Sequence, residues 1–382
     1  MTLWTGIGLV SLAVWLYMLT ARGGYWLTRE RDDGVLAVPA HLPSVVAVVP
    51  ARNEADVIAR SIGSLLAQDY AGPFRIVLVD DGSSDGTVAA ARAVEGRRRL
   101  DVLAGADLPA GWTGKLWALE QGIRHATTTG DAPDYFLLTD ADIGHAPDNV
   151  SQLVARAEQG ERVQVSLMAE LSCASPAERF LIPAFVYFFQ MLYPFAWVAR
   201  RDRRTAAAAG GCTLVRREAL ERAGGIAAIR SEIIDDCALA RRLKAEGPIW
   251  LGLTRRAVSL RPYGGFLKIG HMISRSAYAQ LGYSPMALVG TVAAMSLVYL
   301  APPLLALLAE GPARWLGLGA WLLMAITFQP MLRFCRQSPL WGLALPAIGA
   351  AYTVFTVQSA IEFWRGRGGL WKGRVQAMAE DT

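Results

Sequence analysis

At its two ends this chain has four stretches that carry no charged residue over 18 positions or more: Leu3 to Ala21, then Ser276 to Ala309, Trp315 to Leu332 and Gln337 to Ile361. A helix of that length crosses roughly 30 Å of hydrocarbon, and within lipid the backbone has to satisfy its own hydrogen bonds. The remainder has an ordinary globular composition. Over the 382 residues, 53% are hydrophobic and 19% charged, with a mean hydropathy of +0.28, whereas soluble domains carry roughly 25% charge. A soluble domain held by membrane segments is the expectation.

Leu3 to Ala21 reads as an N-terminal anchor (residues 1–21) in preference to a cleaved leader, because no Lys or Arg precedes it and no A-x-A site closes it. Arg22, Arg29 and Arg31 follow directly, so the positive-inside rule puts residues 22–275 in the cytoplasm. A C-terminal membrane region covers residues 276–364 and a basic tail residues 365–382. Three C-terminal crossings would leave that tail, with Arg365, Arg367, Lys372 and Arg374, outside against the same rule, so two or three crossings stay open. Pro302, Pro303 and Pro346 interrupt candidate helices there. The aromatic run Phe180 to Ala199, inside the globular part, is expected in the membrane interface, with a buried core helix as the alternative.

The net charge of +5 comes without a basic stripe interleaved with aromatics, which argues against nucleic acid and for a membrane surface. Cys173, Cys212, Cys237 and Cys335 form no C-x-x-C, so neither a zinc site nor a disulfide framework is indicated.

In the middle, Val45 to Val49, Ile76 to Val79 and Tyr135 to Leu138 are short β-branched or apolar runs of the buried parallel type. They alternate with helical stretches at Glu54 to Leu66, Thr87 to Val94 and Lys115 to His125, which predicts a parallel α/β sheet. Ligands gather beyond the carboxyl ends of such strands. Polar clusters stand at all three: Pro50-Ala51-Arg52-Asn53-Glu54, then Asp80-Asp81-Gly82-Ser83-Ser84-Asp85-Gly86, then Thr139-Asp140-Ala141-Asp142. One cluster alone would be a turn and a helix cap. Three on one sheet edge would repel one another unless a cation or a donor-rich ligand lay between them. No dinucleotide or P-loop glycine pattern occurs, since Gly111-Trp112-Thr113-Gly114-Lys115 has the wrong spacing. Asp140-x-Asp142 after a buried strand suits a divalent ion shared with phosphate oxygens.

These motifs, with Ile234-Asp235-Asp236-Cys237-Ala238-Leu239, resemble the family 2 inverting glycosyltransferases of the GT-A nucleotide-sugar fold over residues 43 to 270. The anchor, the Gly111 to Gly122 segment, the Asp235-Asp236 variant and the Trp371-Lys372-Gly373-Arg374 tail are most similar to the hopanoid-biosynthesis-associated members. The resemblance implies a Rossmann-like α/β GT-A domain with one N-terminal and two to three C-terminal transmembrane helices, in the bacterial inner membrane. It implies that Glu54 and Asp81 hold the base and ribose of a UDP-sugar, with Pro50 and Arg52 of the same motif also on the donor side. Asp140 contacts the ribose side, and Asp142 binds Mg²⁺ or Mn²⁺ across the diphosphate. Lys115 is a second candidate charge for those oxygens, or else a solvated lysine at a helix start. Asp236 stands where the family has its general base, with Asp235 in place of the usual glutamate.

The tryptophan-containing motif of processive members is missing. Arg275 alone offers a match, as a diphosphate contact or a snorkelling residue at the membrane edge. The acceptor expected is the hydroxyl of a membrane lipid, a hopanoid by resemblance, with a ceramide-type or polyprenyl lipid as alternatives. An inactive nucleotide-sugar binder is the competing reading, and a transporter is disfavoured because the apolar segments carry almost no ionisable residues.

Overall fold

The computed structural model describes residues 2–37, 39–94 and 99–369, so Lys372, Arg374 and the Trp371 to Arg374 motif lie outside the described residues. The chain forms two compact units. Of the described residues, one comprises those in 30–171 and 197–262, the other those in 2–29, 172–196 and 263–369.

The first unit is built on a mixed eight-stranded sheet. Its strands are β1 (Val45–Ala51), β2 (Phe74–Asp80), β3 (Leu100–Ala104), β4 (Tyr135–Thr139), β5 (Ile143–His145), β6 (Gln164–Glu170), β7 (Cys212–Arg216) and β8 (Ile249–Ser259), in the order β3-β2-β1-β4-β7-β6-β8-β5. Every residue of β1 is buried, as its β-branched run demands of a strand covered on both faces. Helices Ile58–Leu66, Thr87–Arg92 and Gly114–Thr128 fall in the expected stretches, although the first begins four residues later than Glu54. The helix over β1 and β2 comes so close that a Cβ on Gly122 would lie 2.4 Å from Val48 Cγ1. Only glycine fits that approach.

The sheet is not parallel throughout. β1 to β4 run parallel, but β7 is antiparallel to both β4 and β6, and β5 is antiparallel to β8. β7 enters after the long excursion over residues 171–211, which returns the chain at the carboxyl end of β4 with Cys212 opposite Thr139. From there it can only run backwards along its neighbour. β1 pairs with β4 only over Val45 to Val48, and Pro50, two residues on, has no N–H to extend that pairing. The two strands fork where β1 leads to β2 on one side and faces β4 on the other, a crevice of the kind that binds ligands in α/β sheets.

The segment that follows the N-terminal helix is annealed to this unit. Asp32 N–H donates to Leu253 O at 2.8 Å, and Leu253 N–H to Glu30 O at 2.9 Å. The Asp32 carboxylate is buried between Arg156 and Arg256, each 3.2 Å away.

The second unit is helical. Among the described residues, five helices are long and apolar enough to cross a membrane: Leu3–Thr20, Pro176–Val198, Pro285–Leu308, Pro312–Phe334 and Pro339–Trp364. In the Pro176–Val198 helix the apolar window is 61% buried inside the protein, against 17% to 44% in the others. The prolines do not break the helices as their number suggests. Pro346 sits in the first turn of Leu345–Trp364, where an N–H is not needed. Pro302 cannot donate to Val298 O one turn back, but a π turn at Ser296–Leu300 absorbs the misfit and the Trp15 indole N–H donates to that carbonyl at 2.9 Å. Tyr187, fully buried, bridges Tyr25 (2.9 Å) and Thr327 (2.8 Å) through their hydroxyls.

Candidate active site

The carboxyl ends of β1 and β2 are locked together by their own polar side chains. Asn53 adopts a left-handed backbone (φ 53°), tolerated by Asn, and its Oδ1 accepts from Ser84 N–H at 2.9 Å. In return Asn53 N–H donates to Ser83 Oγ at 2.9 Å, Glu54 N–H to Thr87 Oγ1 at 2.8 Å and Ala55 N–H to Asp85 Oδ2 at 3.1 Å. Asp85 also takes Thr87 N–H, so it serves the loop and the helix start, and these bonds draw its carboxyl below the usual range despite the opposing effect of burial. This interlock presents Glu54 and Asp81, both less than a tenth exposed. Arg52 bonds the Asp81 carbonyl and lies 3.7 Å from its carboxylate.

Arg261, beyond the end of β8, pairs with Glu54 and with Asp56 at 2.8 Å. Nothing in the sequence pointed to it, since 207 residues separate it from Glu54. Beside it lies Asp142, whose carboxyl burial pushes up to about 6, with Asp140 and Glu54 adding to the rise and Arg261 opposing it. Among the described residues, no three His, Cys, Asp or Glu side chains converge as a ready-made metal cage. The chemistry of the donors suits a hard divalent ion that takes one or two carboxylates and completes its shell with phosphate oxygens and water. Asp142 and Asp140 fit that role.

The loop carrying these aspartates is braced from below. Thr139 Oγ1 donates to Gly211 O at 2.7 Å and meets His145 Nε2 at 3.0 Å, while Asn149 Nδ2 lies 2.9 Å from His145 Nδ1. With Asn149 donating, Nδ1 is the acceptor and the proton is on Nε2. Burial pushes His145 down to about 4, so it stays neutral. His145, like Arg261, is an ionisable residue that the motifs do not contain.

At the β4 end the charges are crowded. Lys115, in the first turn of the Gly114–Thr128 helix, reaches Asp140 at 3.0 Å and Asp235 at 3.1 Å. Burial alone would lower its ammonium, but Asp140, Asp235 and Asp236 outweigh that and hold it above its normal value. It is a counter-ion, and its side chain is only 20% exposed. Asp236, in the first turn of the Asp235–Glu246 helix, accepts from Gly210 N–H at 3.0 Å and Cys237 N–H at 2.7 Å, one at each carboxylate oxygen. Burial and the neighbouring Asp235 raise its carboxyl to about 6, against the pull of Lys115 and those N–H groups. A Cβ on Gly210 would stand 3.1 Å from Lys115 Nζ and 3.6 Å from Asp236 Oδ2, so glycine lets the backbone approach. Pro50, Lys115, Asp140, Gly210, Asp235 and Asp236 line one cavity of about 20 Å³, room for one water.

Residues 46–224 match the family model described as glycosyl transferase family 2. That stretch is thus similar to the family 2 glycosyltransferases. Two curated relatives named N-acetylglucosaminyltransferase are similar to this chain in sequence. That of Rhizobium leguminosarum bv. viciae is 27% identical over 237 residues, covering 58% of this chain and 51% of the relative. That of Mesorhizobium japonicum is 29% identical over 189 residues, covering 47% and 40%. The chain thus spans about half the length of the curated relatives it matches. A mannosyltransferase from Pyrobaculum calidifontis, solved in complex with GDP-Man and Mn²⁺, superposes with a TM-score of 0.54 at 21% identity over 97% of this chain and 100% of that one. The fold of the unit built on the eight-stranded sheet is the GT-A glycosyltransferase fold.

Within residues 46–224 and their continuation to Pro262, eight of the residues singled out from sequence stand along the carboxyl edge of β1, β2 and β4: Pro50, Arg52, Glu54, Asp81, Lys115, Asp140, Asp142 and Asp236, with Asp235 beside the last. Arg275 does not belong to this unit. It is exposed, in the last turn of the Phe266–Ala277 helix of the helical unit.

Proposed function

We propose that this chain is an inverting glycosyltransferase that moves a sugar from a UDP-sugar to the hydroxyl of a membrane lipid, at the bacterial inner membrane with the family 2 domain in the cytoplasm. The observation that carries the reading is Asp236: a carboxylate fixed through both oxygens by backbone N–H groups, raised toward neutrality, and set beside the Lys115 ion cluster. Each oxygen keeps a lone pair for a proton. The acceptor hydroxyl gives its proton to Asp236 as its oxygen attacks the anomeric carbon from the face opposite UDP, and the configuration inverts. Glu54 and Asp81 hold the base and ribose, and Pro50 and Arg52 shape that end of the cleft. Lys115 offers a cation to the departing diphosphate, and Asp235 holds Lys115 in place.

Asp142, with Asp140 beside it, would hold Mg²⁺ or Mn²⁺, which when bound supplies positive charge for the leaving group. Five helices of membrane-spanning length support a lipid acceptor, and the sequence resemblance supports a hopanoid-type polycyclic alcohol among lipids. The names of the curated relatives support UDP-N-acetylglucosamine as the first donor to test.

The test is UDP release by the purified full-length protein in detergent, with a panel of UDP-sugars, Mg²⁺ or Mn²⁺, and fractionated bacterial lipids. Release that requires the metal and one lipid fraction is the expected result. UDP binding without release for any pair would leave an inactive nucleotide-sugar binder.

A further inference from the structure

The loop between β3 and the Gly114–Thr128 helix carries an aromatic pair that the mechanism leaves unused. Trp112 and Trp117 meet edge to face, with centroids 5.1 Å apart and planes at 65°. The arrangement is pinned, since Trp117 Nε1 donates to Ala106 O at 3.1 Å and Ala106 N–H to Gln121 Oε1 at 2.7 Å. Gly111, at φ +77°, makes the turn that delivers Trp112. Thr113, the next residue, caps the helix with its side chain and donates its N–H to Arg230 O at 2.9 Å. Two residues after Thr113 stands Lys115, and five after Arg230 stands Asp235. The two segments that bring Lys115 and Asp235 together are therefore joined a second time at Thr113 and Arg230, and Trp112 stands at that junction, only partly buried, with Leu108 37% exposed on the same loop.

A large aromatic ring that is held rigidly and still shows surface is what recognition sites use as an anchor. The donor has little use for it: base, ribose and diphosphate are matched by the acids and cations at the crevice. The partner still without a contact is the acceptor. We propose that Trp112 recognises the acceptor, its indole taking the C–H face of a lipid alcohol next to the hydroxyl that Asp236 deprotonates, with Leu108 extending the apolar contact. A saccharide also presents C–H faces to an indole, but it would leave Leu108 against hydroxyls, so the rim favours the lipid. This inference rests on the transferase reading above and adds the residue that selects its acceptor.

The experiment compares full-length wild type, Trp112→Ala and Trp112→Phe in nanodiscs. It measures initial rates against the lipid acceptor, against a water-soluble N-acetylglucosamine oligomer and against UDP-sugar, along with slow UDP-sugar hydrolysis without acceptor. Trp112→Ala should raise KM for the lipid about tenfold and leave kcat within about twofold, with the donor KM and acceptor-free hydrolysis unchanged. Trp112→Phe keeps a ring against Trp117, and its rise of about threefold carries the test if the alanine variant does not fold. An unchanged lipid KM, or a donor KM that rises in step, overturns the role of Trp112 alone. A KM rise confined to the saccharide overturns the lipid assignment. Wild type that hydrolyses UDP-sugar but glycosylates no lipid overturns the proposed acceptor class, and wild type without any turnover overturns the transferase reading itself.

Discussion

The two ends of the crevice solve opposite problems. Where β1 and β2 end, Asn53, Ser83, Ser84, Asp85 and Thr87 satisfy one another and the loop backbone, so their geometry is complete before any ligand arrives. Where β4 meets the Asp235–Glu246 helix, Asp140, Asp235 and Asp236 crowd around one lysine, with Asp142 close by. Buried like charges raise one another's pKa and are costly unless a cation joins them. The first end is a scaffold that holds a shape. The second keeps charge in reserve, which the proposed substrate and ion would complement. Chemistry belongs at the unsettled end.

That contrast breaks most sharply at Asp236. Replacing it by Asn preserves size but removes the base, and transfer should fall by about 10²- to 10⁴-fold, while UDP-sugar affinity by calorimetry stays nearly unchanged. An active Asp236→Asn enzyme would refute the mechanism. In wild type the ionised form of Asp236 is lost as pH falls through about 6, and Asp142 titrates near the same value in the ion-free protein. Turnover should therefore decline below that pH, with the residual rate of Asp236→Asn retaining any slope that Asp142 contributes.

Next in size is Asp142→Asn. Removing one carboxylate from the reserve should weaken metal-dependent donor binding about 10- to 100-fold, read as a steeper requirement for Mg²⁺ or Mn²⁺, and leave metal-free UDP binding little changed. At the scaffold end effects should be smaller on chemistry and visible in stability. Thr87→Val leaves the Glu54 N–H without its acceptor, a loss of about 1–3 kcal/mol, detectable as a lower melting temperature with turnover only slightly reduced. If Thr87→Val abolished turnover without lowering stability, the division between scaffold and reactive end would be wrong.

How much of this was legible depended on how local each signal is. β1, β2 and β4 could be read because strands buried on both faces write continuous apolar runs, and the polar clusters follow directly at their ends. β3 has no fully buried residue on the sheet edge, and β6 opens with the buried Gln164, so neither announces itself. The antiparallel entry of β7 depends on a return after some 40 residues of helix and loop, which no local period encodes. The acids of the crevice were visible as motifs, but their partners were not. Lys115 finds Asp235 across 120 residues and Arg261 finds Glu54 across 207. His145 is a single residue three positions past Asp142, and its role exists only once β5 folds under the loop. Short polar motifs record which groups face a ligand, whereas their counter-ions are a product of tertiary packing.

The annealed segment at Glu30 to Asp32 bears on how this protein can be produced. Anyone wishing to trim the apolar N-terminal helix for expression has a limit on where to cut. A start after Gly34 would remove both backbone bonds to Leu253 and leave Arg156 and Arg256 without the carboxylate they share. A start between Leu27 and Glu30 retains all three contacts, so the shortest serviceable fragment begins there, several residues past the helix and before the first strand.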